Sequence, residues 1–441
     1  DPENGETKPG DFVLSPIISS MSADYSFRGV YYLSGARFFD NVRELLRRAD
    51  FDYIQQIPLN AHWNLKAWSA EKESQKAFRE SWSRIEKDRL LPKLCVFRNR
   101  DYYGAVMTLL ESYFLDLLPR EVKIARLCRN LISMSGAKAI LSEYEYGPIR
   151  KSYGIIAPKL AGIPSLALQH GNIYTTHPGY YYLEDEISQS GSYKSPYSPL
   201  PDLTLVYGPH FEHILTQENF YPKDKVYSVG SPRYDFLLAR NFPFSREELA
   251  EKYGIDPHKK IILWTTQMHG LPDTENITNL KAFRNAFRKL SGVSLVIKRH
   301  PNEPEKYRKM IEKYLSGQID FLLPPASSDA YEFLYMCDLL VTKFSTTATE
   351  AVLLEKPIII LELEGAEDRM GYIKKGVAAG VRRQEEFAST IIRLLNCDTF
   401  SESRKEFVEQ FFYSRDGKST ERTISVIKKE IGEFERNRSK I

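Results

Sequence analysis

The sequence predicts an α/β protein of two Rossmann-like, doubly wound domains facing a central cleft, with a helical insertion in the N-terminal half. Three observations lead there. At 441 residues the chain is longer than a single hydrophobic core comfortably supports. From Ala137 onward, short apolar runs alternate with helical or loop segments, which is the rhythm of parallel sheets. The most distinctive polar motifs directly follow such runs, where an open parallel sheet presents the carboxyl ends of its strands to a ligand.

Taken in order, residues 60–135 read as helical, with Lys, Glu, Gln, Ala and Arg among apolar residues at three-to-four spacing. Trp63, Trp68 and Trp82 fall here, and packing against a neighbouring domain explains them more simply than a partner surface. Strands are expected at Ala137 to Leu141, Ser165 to Leu168, Leu203 to Tyr207 and Val226 to Val229. Gly230-Ser231-Pro232 then punctuates the chain, and Ser245 to Tyr253 opens with the Ser-x-x-Glu pattern of a capped helix. A boundary near 235–245 gives an N-terminal domain over 1–240 and a C-terminal one over 241–400. The second has strands at Ile261 to Thr265, Ser294 to Lys298, Ile319 to Leu322, Leu339 to Thr342 and Pro357 to Leu361. Residues 401–441 read as charged helices packing back across the N-terminal domain.

Composition narrows the function classes. With 61 basic against 58 acidic residues, the net charge of +3 lacks the basic excess of a nucleic-acid binder. Cys95, Cys128, Cys337 and Cys397 show no Cys-x-x-Cys spacing, so neither a zinc site nor a disulfide framework is expected. No apolar run approaches the roughly 18 residues of a membrane span, and the polar Asp1-to-Gly10 start does not resemble a signal peptide. The expectation is a cytoplasmic protein, with peripheral contact at the inner face of a membrane left open. Because residue 1 is Asp rather than Met, an anchor or partner domain outside this chain also stays open. Asp50-Phe51-Asp52 has the form of a metal-binding Asp-x-Asp but sits far from the other motifs, so no metal and no cofactor are expected. The P-loop, the Gly-x-Ser-x-Gly elbow and the His-Glu-x-x-His helix are absent from the sequence.

The residues that can carry chemistry fall into two groups. After the run Ser294-Leu295-Val296-Ile297, Lys298, Arg299, His300 and Pro301 emerge at a strand end, where a phosphate would meet three cationic or donor side chains. After Leu339-Leu340-Val341-Thr342, Ser345, Thr346 and Thr347 open a helix whose hydroxyls and free N–H groups suit an anion, with Glu350 one turn in to accept from a ribose. Thr266 and Gln267, after the domain's first strand, are further candidate donors. In the N-terminal half, Ser165 to Leu168 delivers Gln169, His170 and Gly171, followed by His177 in His177-Pro178-Gly179-Tyr180. His170 could act as base, orienting group or phosphate donor. Glu143 and Glu145 leave the strand that ends near Leu141 and are one strand period apart, so both are expected to point the same way, and either could deprotonate an acceptor hydroxyl.

This set, Gln169-His170-Gly171, Gly230-Ser231-Pro232-Arg233, Lys298-x-His300-Pro301, Ser345-Thr346 with Glu350-Ala351, and the late Arg415-Asp416-Gly417, resembles GT-B glycosyltransferases of surface-polysaccharide assembly. The nearest are capsule-type transferases using CMP-Kdo or CMP-sialic acid, and the related CDP-glycerol glycerophosphotransferases. The resemblance spans residues 137–420. It implies metal-independent transfer from a nucleotide-sugar donor, expected to be CMP-linked, to a glycan or glycolipid acceptor, with contact to a polysaccharide-assembly complex left open. By the same resemblance the C-terminal domain binds the donor, with His300, Ser345 and Thr346 at its phosphate and Glu350 at its nucleoside, and the acceptor enters from the N-terminal domain. The alternatives are a CDP-glycerol-type polyol-phosphate transferase, a UDP-sugar transferase, a nucleotide-sugar 2-epimerase and a non-catalytic assembly subunit.

Overall fold

The computed structural model describes residues 14–23, 30–32, 54–56, 65–143, 145–187, 198–238, 244–363, 368 and 371–438. Asp50-Phe51-Asp52 and Trp63 lie outside them, as does the side chain of Trp68. The described residues form two compact units, one numbered 10–233 with 419–441, the other 234–418.

The first unit begins with α1 (Ser15–Ala23) and a parallel pair, β1 (Val30–Tyr32) and β2 (Ile54–Gln56). The expected helical region is α2 (Leu65–Ile85), α3 (Tyr103–Ser112) and α4 (Leu118–Ser135). An antiparallel hairpin pairing Val96–Phe97 with Arg100–Asp101 lies between α2 and α3. α3 passes into α4 through a widened turn over Tyr113–Leu117, just ahead of Pro119. Proline has no N–H to donate and its ring crowds the carbonyl four residues back, so the wider turn relieves the conflict without ending the helix. Phe78 and Trp82 of α2 close on Phe114, at 6.4 and 6.3 Å between ring centroids, so the buried Trp82 is a packing residue.

Behind the helices stand β3 (Ile140–Ser142), β4 (Ser165–Leu168), β5 (Leu203–Val206) and β6 (Val226–Ser228), all parallel and in sequential order. Every residue of β4 and β5 is buried, as uninterrupted apolar runs require of strands covered on both faces. Leu166, Leu168, Leu203 and Leu205 share a core with Ile17 of α1 and with Ile427 near the C-terminus.

The second unit opens with α5 (Arg246–Tyr253), started by the expected capping box. The Ser245 hydroxyl accepts the Glu248 N–H at 3.1 Å, and the Glu248 carboxylate accepts the Ser245 N–H at 2.6 Å. Its sheet comprises β7 (Lys260–Thr265), β8 (Val293–Lys298), β9 (Phe321–Leu322), β10 (Leu339–Thr342), β11 (Ile358–Leu361) and β12 (Ala379–Val381). All are parallel, in the order β9-β8-β7-β10-β11-β12. β12 has three residues, of which Gly380 is one, too slight a signal to register in sequence. Helices α6 (Asp273–Phe287), α7 (Glu305–Leu315), α8 (Ala330–Met336), α9 (Thr347–Leu353) and α10 (Gln384–Asn396) connect the strands. Trp264 of β7 stacks on Phe283 of α6 at 4.0 Å, and Phe283 meets Phe387 of α10 edge-on at 5.0 Å. Burying each such side chain contributes about 1.5–3 kcal/mol. The strand order reverses between β7 and β10, and a reversal of this kind splays the loops on either side and leaves a crevice at the strand ends.

The final helices do not behave as one block. α11 (Ser401–Phe412) stays with the second unit, where Phe407 stacks on Phe411 at 4.1 Å and faces Tyr372 at 6.0 Å. Its Arg404 is fully buried and paired with Asp398. The expected segment 401–441 therefore splits, because the aromatic face of α11 finds its partners locally. Only α12 (Ser419–Arg438) joins the first unit. There Arg422 donates to the Val229 carbonyl at 2.9 Å, and Gly230, at φ 86°, lets the start of α12 approach. A Cβ at Gly230 would clash with the Ser419 side chain, closer than van der Waals contact allows. The Gly230-Ser231-Pro232 motif thus serves docking of the last helix. We expect Gly230→Ala to destabilise the protein by about 1–3 kcal/mol through strain at a positive φ and overpacking. Gly171 has ordinary φ and open space around it, so Gly171→Ala should leave thermal unfolding unchanged. Calorimetry on the two variants checks both.

Candidate functional site

In the second unit the site is built at the carboxyl ends of β7, β8 and β10. The Thr265 hydroxyl lies 2.9 Å from both the Thr342 and Thr347 hydroxyls, tying β7, β10 and the first turn of α9 at the reversal of strand order. Thr347 is thereby held inside the protein. Ser345 caps α9 by accepting the Thr347 N–H at 3.2 Å, and Thr346 is exposed. Glu350 is buried, with the Tyr331 hydroxyl 3.3 Å from Oε1. Arg415 of the late motif is paired with Glu355, beyond the C-terminal end of α9.

The three cations or donors expected at the end of β8 divide in their roles. Lys298 is buried and gives its ammonium to the carbonyls of Arg299 at 3.0 Å and Ala326 at 2.7 Å, and burial lowers its pKa. Its ammonium is thus turned to backbone carbonyls, because a lysine leaving a strand covered on both faces meets carbonyls before water. Arg299 is also buried, 3.4 Å from Glu305 through Nη2, and its Nε and Nη1 have no hydrogen-bond partner among the described residues. A buried guanidinium left half-satisfied is costly in the absence of an anion. His300 accepts the Asn302 N–H at Nδ1, 3.1 Å away, which places the proton of the neutral ring on Nε2 as a donor. Burial, with His269 alongside, lowers its pKa from the usual 6.5. Pro301 opens the turn that carries the chain from His300 towards α7.

Two residues that sequence reasoning missed complete this group. The His269 ring lies against that of His300, at 4.7 Å between centroids. Glu303, whose side chain is fully buried, accepts the Thr266 hydroxyl and the Met268 N–H, each at 2.6 Å, and lies 3.5 Å from His269 Nδ1. Thr266 is therefore spent on Glu303. Gln267 likewise turns inward, its Oε1 lying 3.3 Å from both the Thr342 hydroxyl and the Lys343 N–H. Both were expected as ligand donors; the Thr266 hydroxyl donates to Glu303, whereas Gln267 engages its amide oxygen as an acceptor and its Nε2 is not part of these bonds. At a crowded strand end the protein's own buried groups compete with a ligand. No spacing in the sequence links His269 to Glu303, and only the turn after His300-Pro301 offers a hint.

In the first unit, His170 and Glu143 meet at the ends of β4 and β3. His170 Nδ1 is 3.4 Å from one Glu143 oxygen, and Arg150 is 3.3 Å from the other. The imidazole is half-exposed. Gln169 is buried beneath it: its amide donates to the Gly171 carbonyl at 2.7 Å and accepts the Tyr207 N–H at 2.8 Å. The Tyr207 hydroxyl donates to the His170 carbonyl at 2.9 Å. Gln169 and Tyr207 thus fix the backbone that presents His170. His177 accepts the Gly179 N–H at Nδ1, 3.1 Å away, and lies 5.0–5.2 Å from the rings of Tyr146, Tyr174 and Tyr180. Burial lowers its pKa. It organises an aromatic cluster.

Glu143 and Glu145, expected on one side, point apart. β3 ends at Ser142, so strand alternation no longer governs the residues that follow. Glu145 is buried, taking the Tyr221 hydroxyl at 2.5 Å and the Thr204 hydroxyl at 2.7 Å, and burial raises its pKa. Glu145 is thus buried among its own partners, whereas the Glu143–His170 pair is partly exposed.

A family profile described as CDP-glycerol:poly(glycerophosphate) glycerophosphotransferase matches residues 98–429, covering both groups of residues. The chain belongs to this family. It is a transferase of the nucleotide-sugar and CDP-glycerol type with a GT-B-class fold. Among solved structures, the UDP-GlcNAc 2-epimerase of Neisseria meningitidis bound to UDP-GlcNAc aligns at 14% identity over 95% of this chain and 96% of that one, with TM-score 0.57. A glycosyltransferase from Rickettsia africae ESF-5 aligns at 14% identity over 94% and 93%, with TM-score 0.51. At such identities the likeness is one of fold. No curated protein matches the sequence significantly. The expected CMP-Kdo or CMP-sialic acid specificity finds no support here, whereas the related glycerophosphotransferases do. No helix among the described residues is long and apolar enough to cross a membrane, and none of their His, Cys, Asp and Glu side chains form a metal-binding group of three or more.

Two outcomes follow from this geometry. Glu143→Gln should lower kcat by about 10–100-fold by loosening His170. Glu145→Gln should leave kcat within about twofold, whereas Glu145→Leu, which strands two buried hydroxyls, should cost about 1–3 kcal/mol of stability. Steady-state kinetics and denaturant unfolding on the three variants separate the roles. The second concerns pH. Burial, with His269 alongside, lowers the pKa of His300 in the free site, and an adjacent phosphate raises it. Binding then takes up a proton, so nucleotide affinity should strengthen as pH falls through the bound-state value and level off below the free-state one. Calorimetric titration across this range should show a slope that is absent in His300→Gln.

Proposed function

We propose that the protein is a CDP-polyol-type transferase that moves a polyol phosphate from a cytidine diphosphate donor to a hydroxyl of a glycan, glycolipid or polyol-phosphate acceptor. The observation that carries this reading is the family match, which spans the residues of both units singled out above. The chemistry of the second unit supports it. A diphosphate needs more fixed donors than a monophosphate, and Arg299, His300 and His269, with Ser345 and Thr346 after β10 of the same sheet, supply a matching set. Glu350 is the proposed partner of the ribose.

In the proposed reaction the acceptor oxygen attacks the β-phosphorus, a new P–O bond forms, and the bond to the bridging oxygen breaks. CMP leaves with the bonding pair. His170, oriented by Glu143, takes the proton of the attacking hydroxyl at Nε2. Arg299 and the Nε2–H of His300 stabilise the charge that grows on the phosphate oxygens. His269 is the second imidazole at the diphosphate, its ring oriented by Glu303.

The test is release of CMP from CDP-glycerol or CDP-ribitol, dependent on a polyol-phosphate or glycolipid acceptor. His170→Ala and His300→Ala should each lower kcat/KM by at least about 100-fold. Transfer only from CMP-linked sugars would restore the first donor expectation, and isomerisation of UDP-GlcNAc without an acceptor would overturn the transferase chemistry. His269→Ala should weaken CDP binding about tenfold while leaving CMP binding within about twofold, the signature of a contact to the second phosphate.

A further inference from the structure

The loops that leave β3 and β4 meet twice. One meeting is the Glu143–His170 pair, and the other, a few residues further along each loop, sets the ring of Tyr146 against that of His177 at 5.2 Å. Tyr180 closes on both, 5.5 Å from Tyr146 and 5.2 Å from His177, and is itself buried. Tyr174 stands on the outside, 5.0 Å from His177 and 54% exposed. The three residues of chain from Glu143 to Tyr146 span at most about 11 Å, so the cluster lies beside the proposed base. Its rings are anchored. The Tyr174 carbonyl accepts the His177 N–H at 2.8 Å, and the His177 carbonyl accepts the N–H groups of Tyr180 and Tyr181, each at 2.9 Å, which folds 174–180 into tight turns. A Cβ at Gly179 would collide with the Tyr146 ring, so the glycine permits the close approach. The Thr175 hydroxyl bonds to Glu218, tying the turn to the helical segment after β5. A ring fixed in this way gives up little freedom when a ligand packs on it.

Charge and ring chemistry identify the occupant. Residues 171–187 hold Tyr174, Tyr180, Tyr181 and Tyr182 with Glu184, Asp185 and Glu186, and no Lys or Arg. Arg150 and Lys151, the first cations after β3, are engaged, Arg150 with Glu143 at 3.3 Å and Lys151 with the Tyr182 and Ser198 hydroxyls at 2.8 and 3.2 Å. A polyol-phosphate chain bears an anion on every unit and calls for cations along its path, whereas this loop would offer it carboxylates. A pyranose ring fits both features. Its face of C–H bonds packs on the negative face of an aromatic ring. Its hydroxyls donate to carboxylates such as Glu218, which keeps lone pairs beyond the one that Thr175 uses.

We propose that Tyr174 and His177 form a platform for a sugar ring next to the accepting hydroxyl, so that the acceptor of this chain ends in a glycosyl unit rather than a polyol phosphate. The ring's role as acceptor rests on the transferase reading above, whereas its binding to the platform does not. Binding is therefore measured first without donor, by saturation-transfer NMR and calorimetric titration of the full chain with a panel of methyl hexopyranosides, plain and 2-acetamido, and with glycerol 3-phosphate. Wild type should bind at least one glycoside about tenfold or more tighter than glycerol 3-phosphate. Tyr174→Ala should weaken that binding at least about tenfold, and Tyr174→Phe should keep it within about twofold, since stacking needs the ring and not its hydroxyl. Melting temperature should stay at the wild-type value in both, because Tyr174 is exposed. With CDP-glycerol as donor, Tyr174→Ala should raise the KM for the glycoside by the same factor and leave the KM for CDP-glycerol unchanged. No glycoside binding, unaltered binding by Tyr174→Ala, or a preference for glycerol 3-phosphate would overturn the proposal. Glycoside binding lost in Tyr174→Ala, without release of CMP from any CDP-polyol, would uphold the platform and sink the donor reading instead.

Discussion

The donor group depends on one buried carboxylate. Glu303 belongs to the turn after β8, yet the donors it accepts, the Thr266 hydroxyl and the Met268 N–H, belong to the loop after β7. A carboxylate taken out of water costs several kcal/mol unless its oxygens are satisfied, so the two loops are locked together wherever Glu303 is folded inside. His269 and His300 ride one on each loop, and their rings meet because the loops do. With Thr265 and Thr342 bonded at the reversal of strand order, the strand ends are fixed before any ligand arrives. Catalytic donors aimed in advance avoid the reorganisation that mobile ones would undergo as charge develops.

How much of this was legible follows from what each signal encodes. Apolar runs report burial, and nine expected strands are present, within a few residues of their predicted limits, because a strand covered on both faces has no polar alternation to blur it. Motifs at strand ends report position along the chain, and His170, Glu143, Arg299 and His300 stand where that reasoning put them. Direction is another matter. Lys298, Thr266, Gln267, Gln169 and Glu145 lie at the expected places but turn inward, since a polar side chain beyond the last paired residue can satisfy a ligand or the protein's own backbone equally well. Contacts between loops leave no periodic trace. His269 and Glu303 are 34 residues apart, and neither lies in a recognisable pattern. The split of the C-terminal helices at Ser419 was hidden likewise, because α11 and α12 carry similar charge and differ only in the partners their apolar faces find.

The same device recurs in the first unit with a different setting. Glu303 and Glu143 each face the Nδ1 of a histidine, but Glu303 is sealed from solvent while Glu143 is partly exposed and shared with Arg150. The firmer pairing belongs to the group proposed to hold a donor of fixed chemistry. The more exposed one belongs to the group proposed to meet an acceptor. A base whose ring can adjust while its backbone stays fixed by Gln169 and Tyr207 suits that task better than a rigidly buried one. Glu145 shows the opposite limit: buried, with a hydroxyl donor on each oxygen, it stabilises the ends of the strands.

Charge placement bears on which bond is broken. If the reacting centre were an anomeric carbon, positive charge would develop on the sugar and a carboxylate beside it would help. The donor group instead concentrates a guanidinium and two imidazoles, while its carboxylates are committed elsewhere: Glu303 to backbone and hydroxyl donors, Glu305 towards Arg299. Arrays of fixed donors stabilise charge spread over phosphate oxygens, the pattern that phosphoryl transfer needs throughout its course. His300 contributes an Nε2–H donor, its Nδ1 already engaged by the Asn302 N–H. In the proposed reaction, selectivity for a diphosphate and release of a monophosphate follow from one arrangement, because cutting the bridge carries away the phosphate that the additional donors hold and leaves CMP bound by the remainder alone.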